Sequence, residues 1–500
     1  MERLEFVENR HRAETENQTI VKPLKILAFM LATAAIAVGI ALVFPKDGIE
    51  LGSGIKLHFN LNFTDSQADT TQTNVADVVE IIGNTNAIEA ELKADTTTLP
   101  ADTVTIEQPD TLPAAPAPKP KPVRTDKPRS RQPIEFAEDD NERLAPFFAA
   151  LANCQNRQVR ILHYGDSQIE GDRITGYFRN LMQKMFGGSG PGLMPAVPPV
   201  AKSSAIMHSA SSNWCVHTIY QKRDTALHHQ KFGIMGSFGQ YGQQSAWIKF
   251  SQSGQAYKSV KKFTQCNVFY GHADSSFSVK GYADGELLWF EDIDPTADTK
   301  RIQWNFEHTP TNFRIEFDGS QSPDIYAITL DSPTGVQVDN LPFRGSKGTE
   351  FVKIDLAQMK QMGHYLPVGL IIYEFGVNAV TNQSRSYSYY EQNLRKQLQY
   401  LKKVWPKAVV LVVGVSDMSE KGANGYTTRA SVSKVIEAQR NAAFAEGCAF
   451  WNLYAAMGGR NSMPVWVESG MAQKDYTHFN RKGGHRVAQM LFDAIMDEEE

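Results

Sequence analysis

Hydrophobic and polar residues divide the chain into segments with different patterns. The first is residues 26–44 (ILAFMLATAAIAVGIALVF), which contain no charged side chain. At about 1.5 Å of rise per residue, a helix of this length is just long enough to cross a hydrocarbon core of about 30 Å. Lys and Arg are more frequent on its N-terminal side, at Arg10, Arg12, Lys22 and Lys25 against Lys46 and Lys56.

This charge bias predicts the topology. By the positive-inside rule, residues 1–25 form a cytoplasmic segment, 26–45 a single transmembrane signal anchor in the inner membrane, and the rest is periplasmic or otherwise extracytoplasmic. A cleaved signal peptide is the alternative. The length of the apolar run and the long polar segment before it disfavour that alternative.

The residues after the apolar run are mostly polar. Residues 55–63 (IKLHFNLNF) alternate apolar and polar side chains, which predicts a short half-buried strand. From about 66 to 133, Thr, Asp, Ala and Pro predominate, and TLPAAPAPKPKPV has too little apolar surface to offset the entropy of ordering. We therefore predict an extracytoplasmic, disordered, Thr/Asp/Pro-rich tether over 46–135.

From residue 136 the pattern becomes that of an α/β fold. Apolar runs that predict buried strands are VRILH (159–163), VGLIIYEF (368–375), AVVLVVGV (408–415) and CAFWNLY (448–454). Helical periodicity occurs around and between them, at 142–152, 173–186, 389–404, 429–445 and 482–496. Strands that alternate with helices indicate βαβ units and a parallel sheet.

A different pattern separates the two parts of this α/β domain, which are 136–200 and 336–500. Between 201 and 335, Gly, Asp, Ser and Pro separate short alternating runs such as SAWIKFSQ, CNVFYGH, FSVKGYA, ELLWFED, NFRIEF and DIYAITL. Such spacing is typical of an antiparallel β-sandwich. Because the chain then returns through GVQVDN to the α/β pattern, we predict that the sandwich is inserted into the α/β domain.

Composition narrows the classes of function. An apolar fraction of 42% is that of a globular protein, and a net charge of −4 gives no support to a nucleic-acid partner. The four cysteines, Cys154, Cys215, Cys266 and Cys448, form no CxxC pair, and no His/Cys cluster has zinc-ligand spacing. We expect buried, unpaired thiols and neither a metal nor a cofactor. A Cys215–Cys266 disulfide is the alternative in an extracytoplasmic compartment.

Reactive side chains follow the predicted strands. Ser167, in GDSQ, comes directly after the first strand and before a helix, which places it at the carboxyl edge of the sheet, where open α/β sheets bind ligands. A serine hydroxyl is a poor nucleophile until a nearby base removes its proton. Near the C-terminus, Asp475 and His478 stand in DYTH, directly before the last predicted helix. GDS alone is also what a polar, capped turn looks like.

Three motifs in order carry a family resemblance: GDSQ, GVN (376–378) and DYTH (475–478) resemble blocks I, III and V of the SGNH (GDSL) hydrolases. The resemblance implies a flavodoxin-like three-layer hydrolase with Ser167, His478 and Asp475 as its triad. It also implies an oxyanion hole formed by the Ser167 N–H, a block II glycine N–H and the Asn378 side chain. The segment DNLPFRG (339–345) has the chain order of block II, so Gly345 is the candidate glycine.

Other residues are alternatives or are assigned to the structure. Gly348 is the alternative to Gly345. We expect Asp166 to be structural within its turn, His163 to be packed or hydrogen-bonded, and His485 to be semi-buried. In the loop before Asp475, two glycines and a tryptophan either line the pocket or belong to loop geometry: Gly458, Gly459 and Trp466.

The architecture resembles that of peptidoglycan O-acetylesterases of the SGNH class, in which a carbohydrate-binding-like sandwich interrupts the hydrolase after block I. This implies a serine esterase that removes O-acetyl groups from a cell-envelope glycan, with peptidoglycan first and an exported polysaccharide second. An O-acetyltransferase with the same triad and a non-catalytic glycan-binding protein are the alternatives. Four tryptophans of the sandwich are expected mainly in its core, with sugar stacking as the alternative: Trp214, Trp247, Trp289 and Trp304.

Overall fold

A computed structural model describes residues 49–51, 55–57, 74–96, 130–137, 142–199, 201–220, 227–242, 244–381 and 386–499. The predicted anchor 26–45 and the N-terminal segment 1–25 lie outside these residues. None of the helices formed by the described residues is both long and apolar enough to cross a bilayer. The chain divides into two compact units, Met1–Thr71 and Gln72–Glu500.

In the first unit, two short strands pair antiparallel: β1 (Ile49–Leu51) and β2 (Ile55–Leu57). The predicted strand over 55–63 is thus described only for its first three residues.

The second unit contains all the other described elements. Its strands are β3 (Ile134–Glu135), β4 (Gln158–Gly165), β5 (Gly192–Met194), β6 (Ile206–Ala210), β7 (Trp214–Thr218), β8 (Ser237–Tyr241), β9 (Ser245–Gln252), β10 (Gln265–Gly271), β11 (Phe277–Ala283), β12 (Glu286–Ile293), β13 (Lys300–Asn305), β14 (Asn312–Gly319), β15 (Asp324–Asp331), β16 (Gly335–Pro342), β17 (Val368–Glu374), β18 (Val409–Val413), β19 (Ser419–Gly422), β20 (Gly425–Thr428) and β21 (Ala449–Trp451). Its α-helices are α1 (Val75–Ile82), α2 (Thr85–Thr96), α3 (Ala145–Leu151), α4 (Thr175–Phe186), α5 (Leu356–His364), α6 (Ser388–Val404), α7 (Val432–Ala445), α8 (Leu453–Ala456), α9 (Ser462–Glu468) and α10 (Arg481–Met496). Two short 3₁₀ helices are Glu170–Asp172 and Phe351–Lys353.

A six-stranded mixed sheet has the order β16-β4-β17-β18-β21-β3. Five strands are parallel, and β3 adds an antiparallel edge beside β21. Every residue of β18 is buried, because α3, α4 and α10 pack on one face of the sheet and α5, α6 and α7 on the other. The predicted strands are thus parallel, whereas β3 was not predicted because its two residues lie in sequence assigned to the tether.

Three neighbouring parallel strands, β16, β4 and β17, end at the same edge of the sheet. Gly165 of β4 lies opposite Pro342 of β16 and Glu374 of β17. The carboxyl ends of parallel strands share an edge, so the segments that follow these residues are brought side by side. These segments are GDSQ, the block II candidate and GVN.

Two further sheets are antiparallel, with orders β13-β10-β15-β8-β7 (β5 also pairs with β15) and β12-β11-β14-β9-β6. They share one hydrophobic core, so they form a β-sandwich, and strands such as β9, β11 and β14 bury alternate side chains in it. The predicted runs SAWIKFSQ and FSVKGYA coincide with β9 and β11. All sandwich strands lie between β4 and β16 in sequence, but the first, β5, precedes the predicted boundary at 201 because its three residues show no alternation.

The sandwich tryptophans differ in exposure. Trp304 is 2% exposed and stacks on half-buried Trp289 with 5.5 Å between ring centroids, so Trp304 belongs to the core. Trp214 and Trp247 are half-buried, and the Arg314 guanidinium lies over the Trp247 ring. The four thiols are free, but Cys215 is exposed rather than buried as expected.

Residues 74–96 depart from the tether prediction. They form α1 and α2, and Val78, Ile81 and Ile82 of α1 are buried in the core beneath the sheet. The spacing of these three residues is that of one helix face. Asn74 caps the helix by accepting a hydrogen bond from the Ala76 amide at 3.1 Å. The tether was predicted from the average composition of residues 46–135, and an amphipathic helix of only eight residues changes that average little.

Candidate active site

Ser167 lies in the turn between β4 and the 3₁₀ helix Glu170–Asp172 and is partly exposed. The neighbouring Asp166 carboxylate is buried and accepts backbone hydrogen bonds from Gln168 at 3.0 Å, Val377 at 3.1 Å and Gly376 at 3.2 Å. Burial raises the pKa of Asp166 to about 7, while these amide donors act in the opposite direction. Asp166 thus joins the GDSQ turn to the GVN turn, which agrees with the structural role expected for it.

Ser167, His478 and Asp475 are connected in one chain of hydrogen bonds. Ser167 Oγ lies 2.8 Å from His478 Nε2, and His478 Nδ1 lies 2.7 Å from Asp475 Oδ2. The second oxygen, Asp475 Oδ1, accepts from the backbone amides of Thr477 and His478, each at 3.0 Å. This geometry orients the imidazole so that one nitrogen faces the serine and the other the carboxylate.

The electrostatics of Asp475 suit that role. Partial burial raises its pKa, but hydrogen bonds from the His478 amide and ring and from the Thr477 amide outweigh burial, so the pKa lies below its ordinary value. A carboxylate that stays charged can stabilise an imidazolium beside it.

The block II candidate forms a tight turn next to the serine. The Phe343 amide donates to the Gly165 carbonyl at 2.7 Å, and the Ser346 amide closes the turn on the Phe343 carbonyl at 3.0 Å. Gly345 has a φ of +78°, and a side chain there would extend into open space. A side chain at Gly348 would collide with buried Tyr373, so Gly345 remains the better candidate for facing a ligand.

Asn378 is held against the same turn. Its Nδ2 donates to the Ser346 carbonyl at 2.9 Å. A primary amide has a second N–H, which is left for a ligand. Among the described residues, the backbone amides of Ser167 and Gly345 donate to no protein acceptor. These three donors are the ones expected to form an oxyanion hole.

Gln168 is a site residue to which the sequence reasoning gave no role. Its Nε2 donates to the Thr477 carbonyl at 2.8 Å and to Ser416 Oγ at 3.1 Å, and its Oε1 accepts from the Phe479 amide at 3.2 Å. The side chain therefore binds the backbone on both sides of His478. A polar residue directly after Ser167 was the only signal in the sequence, since the partners of Gln168 follow it by 248 to 311 residues.

An aromatic pair lies beside the histidine. Tyr476, between Asp475 and Thr477, has a φ of +54° and stacks on Tyr426 of β20 with 3.5 Å between centroids. The Ser419 amide of β19 donates to the Tyr476 carbonyl at 3.0 Å, so a hydrogen bond joins the β19–β20 hairpin to the loop that contains Tyr476 and His478.

The remaining sequence candidates are structural. His163 is buried, with Nε2 2.9 Å from Glu374 and Nδ1 3.0 Å from Thr175 Oγ1. His485 is only 3% exposed, so it is buried rather than semi-buried, and it stacks on Tyr177.

The loop before Asp475 does not provide a tryptophan to the pocket. Trp466 is fully buried and its indole donates to the Met457 carbonyl at 2.9 Å, so it is core. Gly458 and Gly459 have φ values of +109° and +72°, so loop geometry accounts for both glycines.

No protein-family model and no curated protein matches the chain. Among solved structures, it is similar to a peptidoglycan O-acetylesterase, with 22% identity, a TM-score of 0.58, and coverage of 70% of this chain and 95% of that one. That similarity shows a shared fold. The chain is also similar to a family two carbohydrate esterase from Cellvibrio japonicus, with 10% identity, a TM-score of 0.23, and coverage of 59% of this chain and 100% of that one. It is similar to an acetyl xylan esterase as well, with 16% identity, a TM-score of 0.26, and coverage of 32% of this chain and 81% of that one. TM-scores this low do not establish a shared fold.

Proposed function

We propose that this chain is a serine esterase of the SGNH class that removes O-acetyl groups from a cell-envelope glycan, with peptidoglycan as the leading substrate. The observation that carries the proposal is the Ser167–His478–Asp475 hydrogen-bond chain at the carboxyl edge of the sheet. A glycan-binding protein without catalysis needs no such nucleophile–base pair, and this favours the enzyme over that alternative.

In the proposed first step, Ser167 Oγ attacks the carbonyl carbon of the acetyl ester. His478 Nε2 takes the serine proton, and Asp475 stabilises the imidazolium that forms. The carbonyl oxygen becomes negative as the tetrahedral intermediate forms, and the Ser167 and Gly345 amides and the Asn378 side chain donate to it. When the intermediate collapses, the C–O bond to the sugar breaks and His478 returns its proton to the sugar oxygen.

In the proposed second step, water attacks the acetyl-Ser167 ester. His478 takes a proton from the water, and the Ser167 oxygen leaves and recovers that proton, so acetate is released and the enzyme is restored. If a second sugar hydroxyl attacks instead of water, the same residues transfer the acetyl group. The triad is identical in both reactions, so the acceptor decides between them.

We also propose that residues 26–45 anchor the chain in the inner membrane, that the inserted sandwich assists glycan binding, and that the hydrolase operates in the periplasm. The charge bias around the apolar run supports the anchor. The fold shared with a peptidoglycan O-acetylesterase over 70% of this chain supports the assignment of the glycan.

The test is acetate release from O-acetylated peptidoglycan by the purified full-length protein. Ser167→Ala is the control, because a loop hydroxyl contributes little to stability while the proposed reaction requires it. We expect acetate in stoichiometric excess over enzyme for the wild type and none above background for Ser167→Ala. Acetylated glycan formed from a chromogenic acetyl ester, in place of free acetate, would identify a transferase. Equal turnover by well-folded Ser167→Ala would rule out the serine mechanism.

A further inference from the structure

Two histidines and a carboxylate meet in the sandwich although they are far apart in sequence. His229 precedes β8, His272 follows β10, and Asp324 begins β15. His229 Nε2 lies 3.3 Å and His272 Nδ1 3.6 Å from the same oxygen, Asp324 Oδ2. One ligand atom from each residue lies within 4.8 Å of the other two. These residues have no part in the proposed ester hydrolysis.

We propose that His229, His272 and Asp324 bind one divalent transition-metal ion, with Zn²⁺ as the leading candidate. Zinc bonds to nitrogen and oxygen of about 2.0–2.2 Å at tetrahedral angles place two ligand atoms roughly 3.3–3.6 Å apart. The two separations from Asp324 Oδ2 fall in that range. Two imidazoles favour zinc over Ca²⁺ or Mg²⁺, which prefer oxygen ligands.

The carboxylate has the support expected of a metal ligand. Asp324 is fully buried, and Gln240 Nε2 donates to its Oδ1 at 2.7 Å. This contact leaves Oδ2 directed at the two imidazoles, with the Tyr326 hydroxyl 3.3 Å away. Such outer contacts fix the orientation of a ligand, and a cation offsets the cost of burying the charge.

The histidines are arranged around that oxygen. His229 Nε2 is buried and has no hydrogen bond with acceptable geometry to the described residues. His272 has a φ of +47°, which residues other than glycine seldom adopt. Its side chain is 34% exposed, which leaves solvent access for a water molecule as fourth ligand.

Metal binding changes one proton position. The Lys231 amide donates to His229 Nδ1 at 3.2 Å, a contact that fits the tautomer with its ring proton on Nε2. When Nε2 bonds to the metal, that proton moves to Nδ1 and the weak Lys231 contact is lost. The imidazole remains neutral, as metal ligation requires.

The ion would hold a connecting segment onto the sandwich. Residues 227–236, which contain His229, also contact the hydrolase: the Asp355 amide donates to the Gln230 carbonyl at 2.8 Å, and the Tyr164 hydroxyl to the Ile234 carbonyl at 2.9 Å. We therefore expect the metal to stabilise the fold and to take no part in ester chemistry.

Titration of chelator-treated, full-length protein with zinc chloride tests the proposal by calorimetry. We expect one zinc per chain, a rise in melting temperature of about 3 °C or more at saturating zinc, and unchanged hydrolysis of a small acetyl ester. His272→Asn should weaken zinc binding by about 100-fold or more. Asparagine tolerates the left-handed backbone at this position, so the fold should survive. His229→Gln is the second variant if His272→Asn does not fold.

Two controls locate the binding. His308→Asn changes an exposed histidine of the same sandwich and should bind zinc as the wild type does. His478→Ala should also bind normally, which excludes the proposed triad as the zinc site. Substoichiometric binding by the wild type, or equal affinity in the wild type and a folded His272→Asn variant, would overturn the proposal. Loss of binding in His478→Ala alone would do the same.

Discussion

The Gln168 side chain holds the backbone on both sides of His478, through the Thr477 carbonyl and the Phe479 amide. Gln168→Ala removes both contacts and leaves Ser167, His478 and Asp475 unchanged. Because displacement of a catalytic group by about 1 Å can cost roughly 100-fold in rate, we expect kcat to fall by ~10–100-fold with KM little changed. Steady-state kinetics with a chromogenic acetyl ester measure both constants.

Gln183→Ala is the matched control for this substitution. Gln183 is also buried, but it lies on α4 and donates to the Gly190 carbonyl away from the triad. Its loss should lower the melting temperature and leave kcat unchanged. If the loss of kcat has the same ratio to the loss of melting temperature in both variants, Gln168 acts only through stability.

The Asn378 side chain makes a structural hydrogen bond and also has a proposed role in catalysis, and the motif GVN does not show which of the two matters more. Its amide donates to the Ser346 carbonyl, and the second N–H of that amide is the one proposed to donate to the oxyanion. Asn378→Ala should therefore lower the melting temperature slightly and lower kcat by ~100-fold or more, with KM little changed, because the oxyanion contact strengthens in the transition state. Asn378→Asp should be at least as inactive, since it places an acceptor where negative charge develops. A large stability loss with unchanged kcat would remove Asn378 from the site.

Strands formed by long apolar runs could be predicted from the sequence. Short strands that pair with distant parts of the chain could not. The run VVLVV predicts β18 because both of its faces are buried under helices. The two residues of β3 and the three of β5 carry no periodicity, and their pairing depends on partners far along the chain. The site shows the same difference. The motifs GDSQ and DYTH predict that Ser167, Asp475 and His478 act together, but the hydrogen bonds of Gln168 to Thr477 and Phe479 depend on tertiary contact and could not be predicted.

Helix α1 offers an internal comparison of burial. Val78 is 1% exposed and Val79 is 49% exposed, on the same helix and with the same side chain. Val78→Ala should cost about 2 kcal/mol of unfolding free energy, from lost transfer energy and the cavity left behind. Val79→Ala should change it by less than about 0.5 kcal/mol. Chemical denaturation of both variants measures the difference, and equal values would mean that α1 does not pack on the core of the α/β domain.

At the scale of the whole molecule, a buried ion network joins the sandwich to the mixed sheet. Arg160 of β4 pairs with Asp331 at the end of sandwich strand β15 and with Asp339 of β16, whose Oδ1 lies 2.6 Å from the guanidinium. The Leu193 amide of β5 donates to the same Asp339 oxygen at 2.7 Å. The inserted sandwich is thus joined to the α/β domain by buried charged side chains as well as by the chain itself.

This network predicts a large effect from one carboxylate. Asp331→Ala leaves the Arg160 charge buried with one partner fewer, and removal of one member of a buried ion pair typically costs about 3–5 kcal/mol. The surface pair of Arg314 and Glu316 provides the control, because its side chains are 44% and 30% exposed. Glu316→Ala should cost at most about 1 kcal/mol. Urea unfolding of both variants gives the comparison, and a cost for Asp331→Ala no larger than that for Glu316→Ala would mean that the network does not hold the sandwich to the sheet.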